Sequence, residues 1–96
     1  MLFDLIMRNR VKGDGCIVTL GRHGFLIYDE GDASYHVAVS EGGGYGIVVE
    51  EMANYDAKLR AKTSEDWLRI ALNIKQTLAL RGIVVDVIHK HSIVGS

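Results

Sequence analysis

The chain has 96 residues, of which 48% are hydrophobic and 24% are charged, and it contains a single cysteine and no proline. These proportions are typical of one globular domain, and they exclude intrinsic disorder and make a second folded domain improbable. The 11 Lys and Arg residues nearly balance the 12 Asp and Glu residues, giving a formal net charge of −1. No overall field therefore draws the protein toward nucleic acid or an anionic membrane.

The first residues form a short apolar run, which Asp4 interrupts and which basic residues follow. This order is unlike a signal peptide, and the run is far shorter than a membrane span, so we expect no membrane association. A short helix over 2–7 is predicted, although the alternation of its apolar residues leaves a strand as the alternative. Because Cys16 has no second cysteine to pair with, a reducing, cytoplasmic location is expected.

Several short apolar stretches separated by turn residues predict β-strands. The stretch 34–40 is the clearest case, because Tyr35, Val37 and Val39 alternate with polar or small residues, which is the pattern of a half-buried strand. The final stretch, 83–88, is apolar on both sides except for Asp86, as in an interior strand that a helix covers. The strand candidates are 16–20, 25–28, 34–40, 45–52 and 83–88.

The segment 55–62 is ambiguous. Its Ala, Lys, Leu and Arg residues are good helix formers, yet apolar and charged residues alternate strictly along it. A helix here would also run into the helix start signal at Thr63 and Ser64. We therefore predict a strand with a charged outer face, with a helix as the alternative.

The strongest prediction is a helix over 64–80. Thr63 or Ser64 can cap its first amides, and the acidic residues that follow suit a helix N-terminus. An apolar stripe with spacings of three and four residues runs along it, and Gly82 is a typical helix terminator. The stripe comprises Trp67, Ile70, Ala71, Ile74 and Leu78.

Together these elements predict a single α+β domain over 1–96, with a frayed tail at 89–96. We expect one five- to six-stranded, mostly antiparallel sheet with the long helix on one face. One helix covers one face only, so apolar residues of the strands are expected on the other face. That argument predicts a homodimer that buries the face; the residues are Ile17, Leu26, Val48 and Val84.

Candidate partner-binding residues lie in two loops. Asp29, Glu30 and Asp32 form an acidic turn whose spacing does not match a calcium loop. Tyr45 follows a run of glycines that leads into an apolar strand, unlike a phosphate-binding loop, and an exposed aromatic there would suit a partner surface. We expect these four residues to contact a protein partner.

Basic residues at 58, 60 and 62 suggest an alternative function. If 55–62 is a strand, then Lys58, Arg60 and Lys62 form a basic ladder that could follow a nucleic-acid backbone. Cross-strand pairing with Glu50 and Glu51 explains the same residues without a ligand. Nucleic-acid binding is therefore the second hypothesis.

A metal site is the third hypothesis. His89 and His91 are two residues apart, so on a strand both imidazoles would face one side. A zinc site needs three or four ligands, and no spacing joins these histidines to Cys16 or Asp86. Cys16 lacks a catalytic signature and is expected to be buried and structural. We thus expect no metal, no cofactor and no catalysis.

The favoured interpretation is a small non-enzymatic protein-binding module. Inhibitors, immunity proteins, antitoxins and phage accessory proteins are of this kind. Such a domain would bind through a sheet edge and charged loops.

Overall fold

The computed structural model describes residues 10–21, 24–41 and 45–88. Within these ranges the chain forms seven β-strands, a 3-10 helix and two α-helices. In chain order these are β1 (Arg10–Lys12), β2 (Ile17–Leu20), β3 (Phe25–Glu30), β4 (Ala33–Ala38), β5 (Ser40–Glu41), β6 (Tyr45–Val48), the 3-10 helix (Val49–Asn54), α1 (Ala57–Arg60), α2 (Ser64–Ala79) and β7 (Val85–Ile88).

Strands β1 to β4 form an antiparallel sheet in chain order. The hairpin turns contain Gly15 and Gly31, which both have positive φ and so suit glycine. One face of this sheet is buried against the core. Residues that are paired in register lie on the same face of the sheet. Val11, Val18, Tyr28 and Tyr35 form one such buried row. The predicted alternation is confirmed within β4, since Val37 is buried and His36 is exposed, but the strand predicted over 34–40 ends at Ala38.

Strands β5, β6 and β7 form a second sheet, so the strands are divided between two sheets rather than joined in one. Val39 alone separates β4 from β5, and the chain passes there from the first sheet to the second. Strand β6 pairs antiparallel with β5 and parallel with β7. A parallel pair needs a long crossover connection, and the helices between β6 and β7 supply it. The α+β class is confirmed.

Helix α2 covers the core at the centre of the molecule, and its predicted bounds are confirmed to within one residue. Thr63 caps it in a reciprocal capping box with Asp66. After the helix, Gly82 has φ 75 and Ile83 N–H donates to the Leu78 carbonyl, which terminates the helix as expected. The apolar stripe is buried except for Trp67, which is half-buried and donates its indole N–H to the Leu59 carbonyl at 2.6 Å. The helix contacts β1, β2, β7 and the 3-10 helix.

The strand prediction for 55–62 is wrong, and the strand predicted over 45–52 ends at Val48. The Asp56 side chain accepts a hydrogen bond from the Lys58 N–H and so caps the N-terminus of α1. Such a cap stabilises a helix and not a strand. Of the apolar residues in the alternating pattern only Leu59 is buried, whereas Tyr55 is 56% exposed. The two-residue alternation of apolar and charged residues in this segment therefore does not correspond to a face of a sheet.

The core joins both sheets to α2, with Met52 and Leu59 contributed by the connection between β6 and α2. Leu26 lies in this core, so the expectation that it faces a second copy is wrong. Ile17 and Val48 are half-buried, and Val84 is exposed. The expected N-terminal helix and the tail at 89–96 lie outside the described residues. Among the helices of the described ranges, none has the length and apolar character to span a membrane.

Candidate functional site

The acidic turn is partly engaged within the fold. Glu30, at the end of β3, forms a two-pronged ion pair with Arg69 of α2, with the shorter contact 2.6 Å. Hydrogen bonds from Arg69 and from the Tyr28 hydroxyl hold the pKa of Glu30 below its usual value. Asp29 is half-buried opposite Ser34, and Asp32 is exposed in the turn. Of the three acidic residues, Asp32 is thus the most available to a partner.

A polar network anchors β3 to α2. The Tyr28 hydroxyl donates to Glu30 at 2.7 Å and accepts from the Asn73 amide at 3.0 Å. Burial raises the pKa of Tyr28 well above its ordinary value, because the phenolate would lose its hydration. The Tyr28 hydroxyl therefore stays neutral and serves to position Glu30 and the helix.

Tyr45 is part of a sheet rather than of a free loop. It begins β6, where it is registered between Glu41 and Val85. The side chain is half-buried and packs against the core. The acidic turn belongs to the first sheet and Tyr45 to the second, so the four predicted partner residues are distributed over two sheets.

The three basic residues do not form a ladder. Lys58 and Arg60 lie on α1 and Lys62 follows it. The ammonium groups of Lys58 and Lys62 lie 5.7 and 5.6 Å from the centre of the Tyr35 ring, in the range of cation–π contacts. The guanidinium of Arg60 instead donates to the Ala53 carbonyl at 3.0 Å. The proposed pairing of Glu50 and Glu51 across strands is wrong as well, because both residues lie in the 3-10 helix.

These contacts close the outer edge of the first sheet at β4. His36 N–H donates to the buried carboxylate of Asp56 at 2.8 Å, and the Lys58 ammonium donates to the Ser34 carbonyl. Burial opposes ionisation of Asp56, but backbone N–H donors and the nearby Lys58 outweigh it and lower the pKa of Asp56. An expected open edge is therefore occupied by side chains of the chain itself.

Cys16 is buried, as expected, with its sulfur 3.2 Å from the Thr77 hydroxyl. His36 is the one histidine in the described ranges, and its Nδ1 lies 4.0 Å from Asp56. His89 and His91 lie outside the described residues. In residues 10–21, 24–41 and 45–88, no three His, Cys, Asp or Glu side chains are grouped to hold a metal.

Strand β7 is an edge strand with exposed apolar residues beside it. It is the last strand of the second sheet and pairs with β6 on one side. Val84, just before it, is 74% exposed, and Ile88 at its end is 39% exposed. We call this region the β7 edge surface: its residues are Lys75, Ala79, Gly82, Ile83 and Val84, together with β7.

Sequence reasoning missed the β7 edge surface because the apolar run 83–88 resembles an interior strand. Only Val85 of this run is fully buried, while Val84, Asp86 and Ile88 are exposed. Asp86 was the available signal, since a charged residue in an otherwise apolar strand indicates an exposed face.

Three surface hollows lined by described residues have volumes of about 200, 210 and 260 Å³. The 260 Å³ groove lies in the β7 edge surface. All three are smaller than the ~300–1,000 Å³ typical of small-molecule pockets.

Comparison of the chain with protein-family models, with curated protein sequences and with solved structures found no match.

Proposed function

We propose that this protein is a small non-enzymatic protein-binding module that acts through the β7 edge surface. One observation carries the proposal: large apolar side chains are exposed next to an edge strand, with Val84 74% exposed. Exposed apolar surface beside unpaired strand edges is costly in water and favours association. Inhibitors, immunity proteins, antitoxins and phage accessory proteins are the classes that such a module would join.

The acidic turn supports a second contact in the same proposal. Asp32 is exposed at the β3–β4 turn, while Glu30 is held by Arg69. A charge at the rim of an interface steers association more than it adds affinity. Asp32 would therefore affect the rate of binding, and Val84 its strength.

Affinity capture from the source cell, followed by reconstitution with the purified partner, tests the proposal. We expect Val84→Glu to abolish binding, because it places a charge in the apolar contact. Ala61→Glu is the matched control, since Ala61 is exposed near α1 and distant in sequence from β7. Asp32→Lys should slow association. Equal binding by the Val84 and Ala61 variants would show that the β7 edge surface has no role.

Two further interpretations stay predictions. A homodimer would use the open face of the second sheet, where Val48 and Ile88 are registered neighbours. Nucleic-acid binding would have to use Lys58 and Lys62 above Tyr35 without a regular ladder. A steep fall of RNA or DNA affinity with salt would support it, and no binding at low salt would end it.

A further inference from the structure

We propose that the β7 edge surface binds an extended segment of the partner protein, which adds as a strand beside β7. The segment carries an acidic side chain on its α2 side and a basic side chain on its opposite side. This inference rests on the proposed function and specifies the chemistry of the partner. Strand addition to a sheet edge is a general mode of peptide recognition, in which alternate side chains give specificity.

Four strands lie at sheet edges in the described ranges, β1, β4, β5 and β7, and side chains contact the outer backbone of β4 and β1. At β4, Asp56 and Lys58 hold the His36 N–H and the Ser34 carbonyl. At β1, the Arg81 guanidinium donates to the Arg10 carbonyl at 3.3 Å. Within the described ranges, β7 has β6 on one side and no strand on the other.

The groove beside β7 provides the apolar contact for an added strand. Its walls are Ala79 of α2, the turn at Gly82, and Val84, and its volume is about 260 Å³. A volume of this size accepts a valine or leucine side chain rather than a whole small-molecule ligand. An extended segment places such a side chain on every second residue, which matches one groove beside one strand.

The charges on the two sides of β7 have opposite sign. Lys75 lines the groove on the α2 side. Asp86 is exposed, whereas its neighbour Val85 is buried, so Asp86 points to the side of the sheet away from the core. No side-chain hydrogen bond or ion pair joins Lys75 or Asp86 to another described residue. A partner strand with an acid toward Lys75 and a base toward Asp86 complements both sides.

A second copy of the chain fits this edge poorly. Antiparallel pairing of β7 with β7 of another copy creates a two-fold contact with both α2 helices on one side of the joined sheet. Lys75 would then share a side with its own equivalent, and Asp86 would do the same on the other side. Like charges directly opposite each other in a strand pair are destabilising. The register that places the two Asp86 side chains opposite each other is therefore disfavoured, and the two Lys75 ammonium groups add positive charge to one side of the joined sheet, so the charge pattern favours a different partner segment.

The test uses the whole protein and two hexapeptides. The first peptide has the sequence Val-Thr-Glu-Lys-Val-Thr, so that in an extended conformation Glu lies on the same side as the valines and Lys on the opposite side. The second peptide, Val-Thr-Lys-Glu-Val-Thr, exchanges Glu and Lys. The valines decide which side of the peptide faces the groove. We expect the first peptide to shift the backbone amide signals of Val85–Ile88 in NMR titrations and to bind about tenfold more tightly than the second at low salt.

Charge reversal in the protein should reverse the preference. The variant with Lys75→Glu and Asp86→Lys keeps the net charge and should bind the second peptide more tightly. Lys12→Glu is the control for Lys75→Glu, because Lys12 is exposed on β1, and it should leave the preference unchanged. Equal affinity for both peptides, or shifts elsewhere than at β7, would overturn the proposal.

The two proposals fail in different ways. If neither peptide binds at millimolar concentration but Val84→Glu still abolishes partner capture, strand addition is wrong and protein binding stands. If Val84→Glu also leaves capture intact, the proposed function is wrong as well. If sedimentation and NMR show β7 amides buried against a second copy, the choice of a partner segment is wrong.

Discussion

Asp56 stabilises the segment 55–62, for which the alternation of apolar and charged residues predicted a strand. Its carboxylate caps α1 through Lys58 N–H and accepts His36 N–H from the β4 edge, each at 2.8 Å. A carboxylate that accepts several N–H donors is stabilised in its charged form even when it is buried. One side chain thus begins a helix and closes a sheet edge, which explains why 55–62 cannot join the sheet as a strand.

Replacement of Asp56 by alanine should lower the free energy of unfolding by about 1–3 kcal/mol, because a helix cap and an edge hydrogen bond are lost together. Urea unfolding measures this loss. Asp32→Ala is the control, since Asp32 is exposed in a turn, and it should change the free energy of unfolding by less than ~0.5 kcal/mol. A loss no larger than that of the control would show that the contacts of Asp56 contribute nothing.

The pH dependence follows from the lowered pKa of Asp56. A carboxyl with a depressed pKa in the folded state stabilises the fold above its unfolded pKa of about 4, and loses this effect as pH falls through the folded value. The difference in stability between the wild type and Asp56→Ala should therefore shrink below about pH 4. A difference that is constant across this range would contradict ionic stabilisation by Asp56.

At the scale of elements, the polar network of Tyr28, Glu30, Arg69 and Asn73 joins β3 to α2, while the apolar side of the helix packs in the core. Ile70, Ile74 and Leu78 bury the apolar side of the helix. The network sets the position of the helix along β3, because its hydrogen bonds join specific atoms. Apolar burial supplies most of the stability, and the polar contacts supply the register.

Tyr28→Phe should cost about 1 kcal/mol at neutral pH through its lost hydrogen bonds. The raised pKa of Tyr28 gives the sign at high pH: its protonated form stabilises the fold below the unfolded pKa of about 10, and this effect declines as pH rises above that value. The wild type should thus lose stability above about pH 10 more steeply than Tyr28→Phe. Tyrosinate absorbance should show a late-titrating group that Tyr28→Phe lacks and Tyr55→Phe retains; its presence in both variants would refute the assignment.

At the scale of the whole molecule, the two sheets leave different surfaces to solvent. The inner face of the first sheet is covered by the core, and its β4 edge is closed by Asp56 and Lys58. In the second sheet, the β7 edge has no partner strand in the described ranges, and Ile88 on the outer face is 39% exposed. Association should therefore concentrate on the second sheet.

The homodimer prediction can be separated from strand addition, because it uses the face of the second sheet rather than its edge. Sedimentation at micromolar concentration should show a dimer that Ile88→Lys dissociates, since a buried lysine at the contact is costly. Ala61→Lys, at an exposed position, should leave the dimer intact. A monomer for the wild type would remove the prediction without affecting the peptide experiment.

The sequence by itself determined the elements whose signals are local. Helix α2 begins at Ser64 because the Thr63 cap, an acidic first turn and an apolar stripe agree, and it ends before Gly82 for an equally local reason. Strands β2, β3 and β4 and the burial of Cys16 were likewise predictable from alternation and turn residues, whereas β1 was not among the predicted strands. Where capping residues, periodicity and turn residues agree over a short stretch of chain, they predict the backbone conformation without knowledge of the rest of the fold.

Only the tertiary structure decided how the strands are divided and which edges stay open. Asp56 and His36 are 20 residues apart and Arg69 and Glu30 are 39 apart, and no local pattern relates such pairs. The β7 edge surface could not be predicted for the same reason, because an apolar strand has the same sequence pattern in the centre and at the edge of a sheet. The number of neighbouring strands depends on chain topology, which residues in sequence order do not reveal.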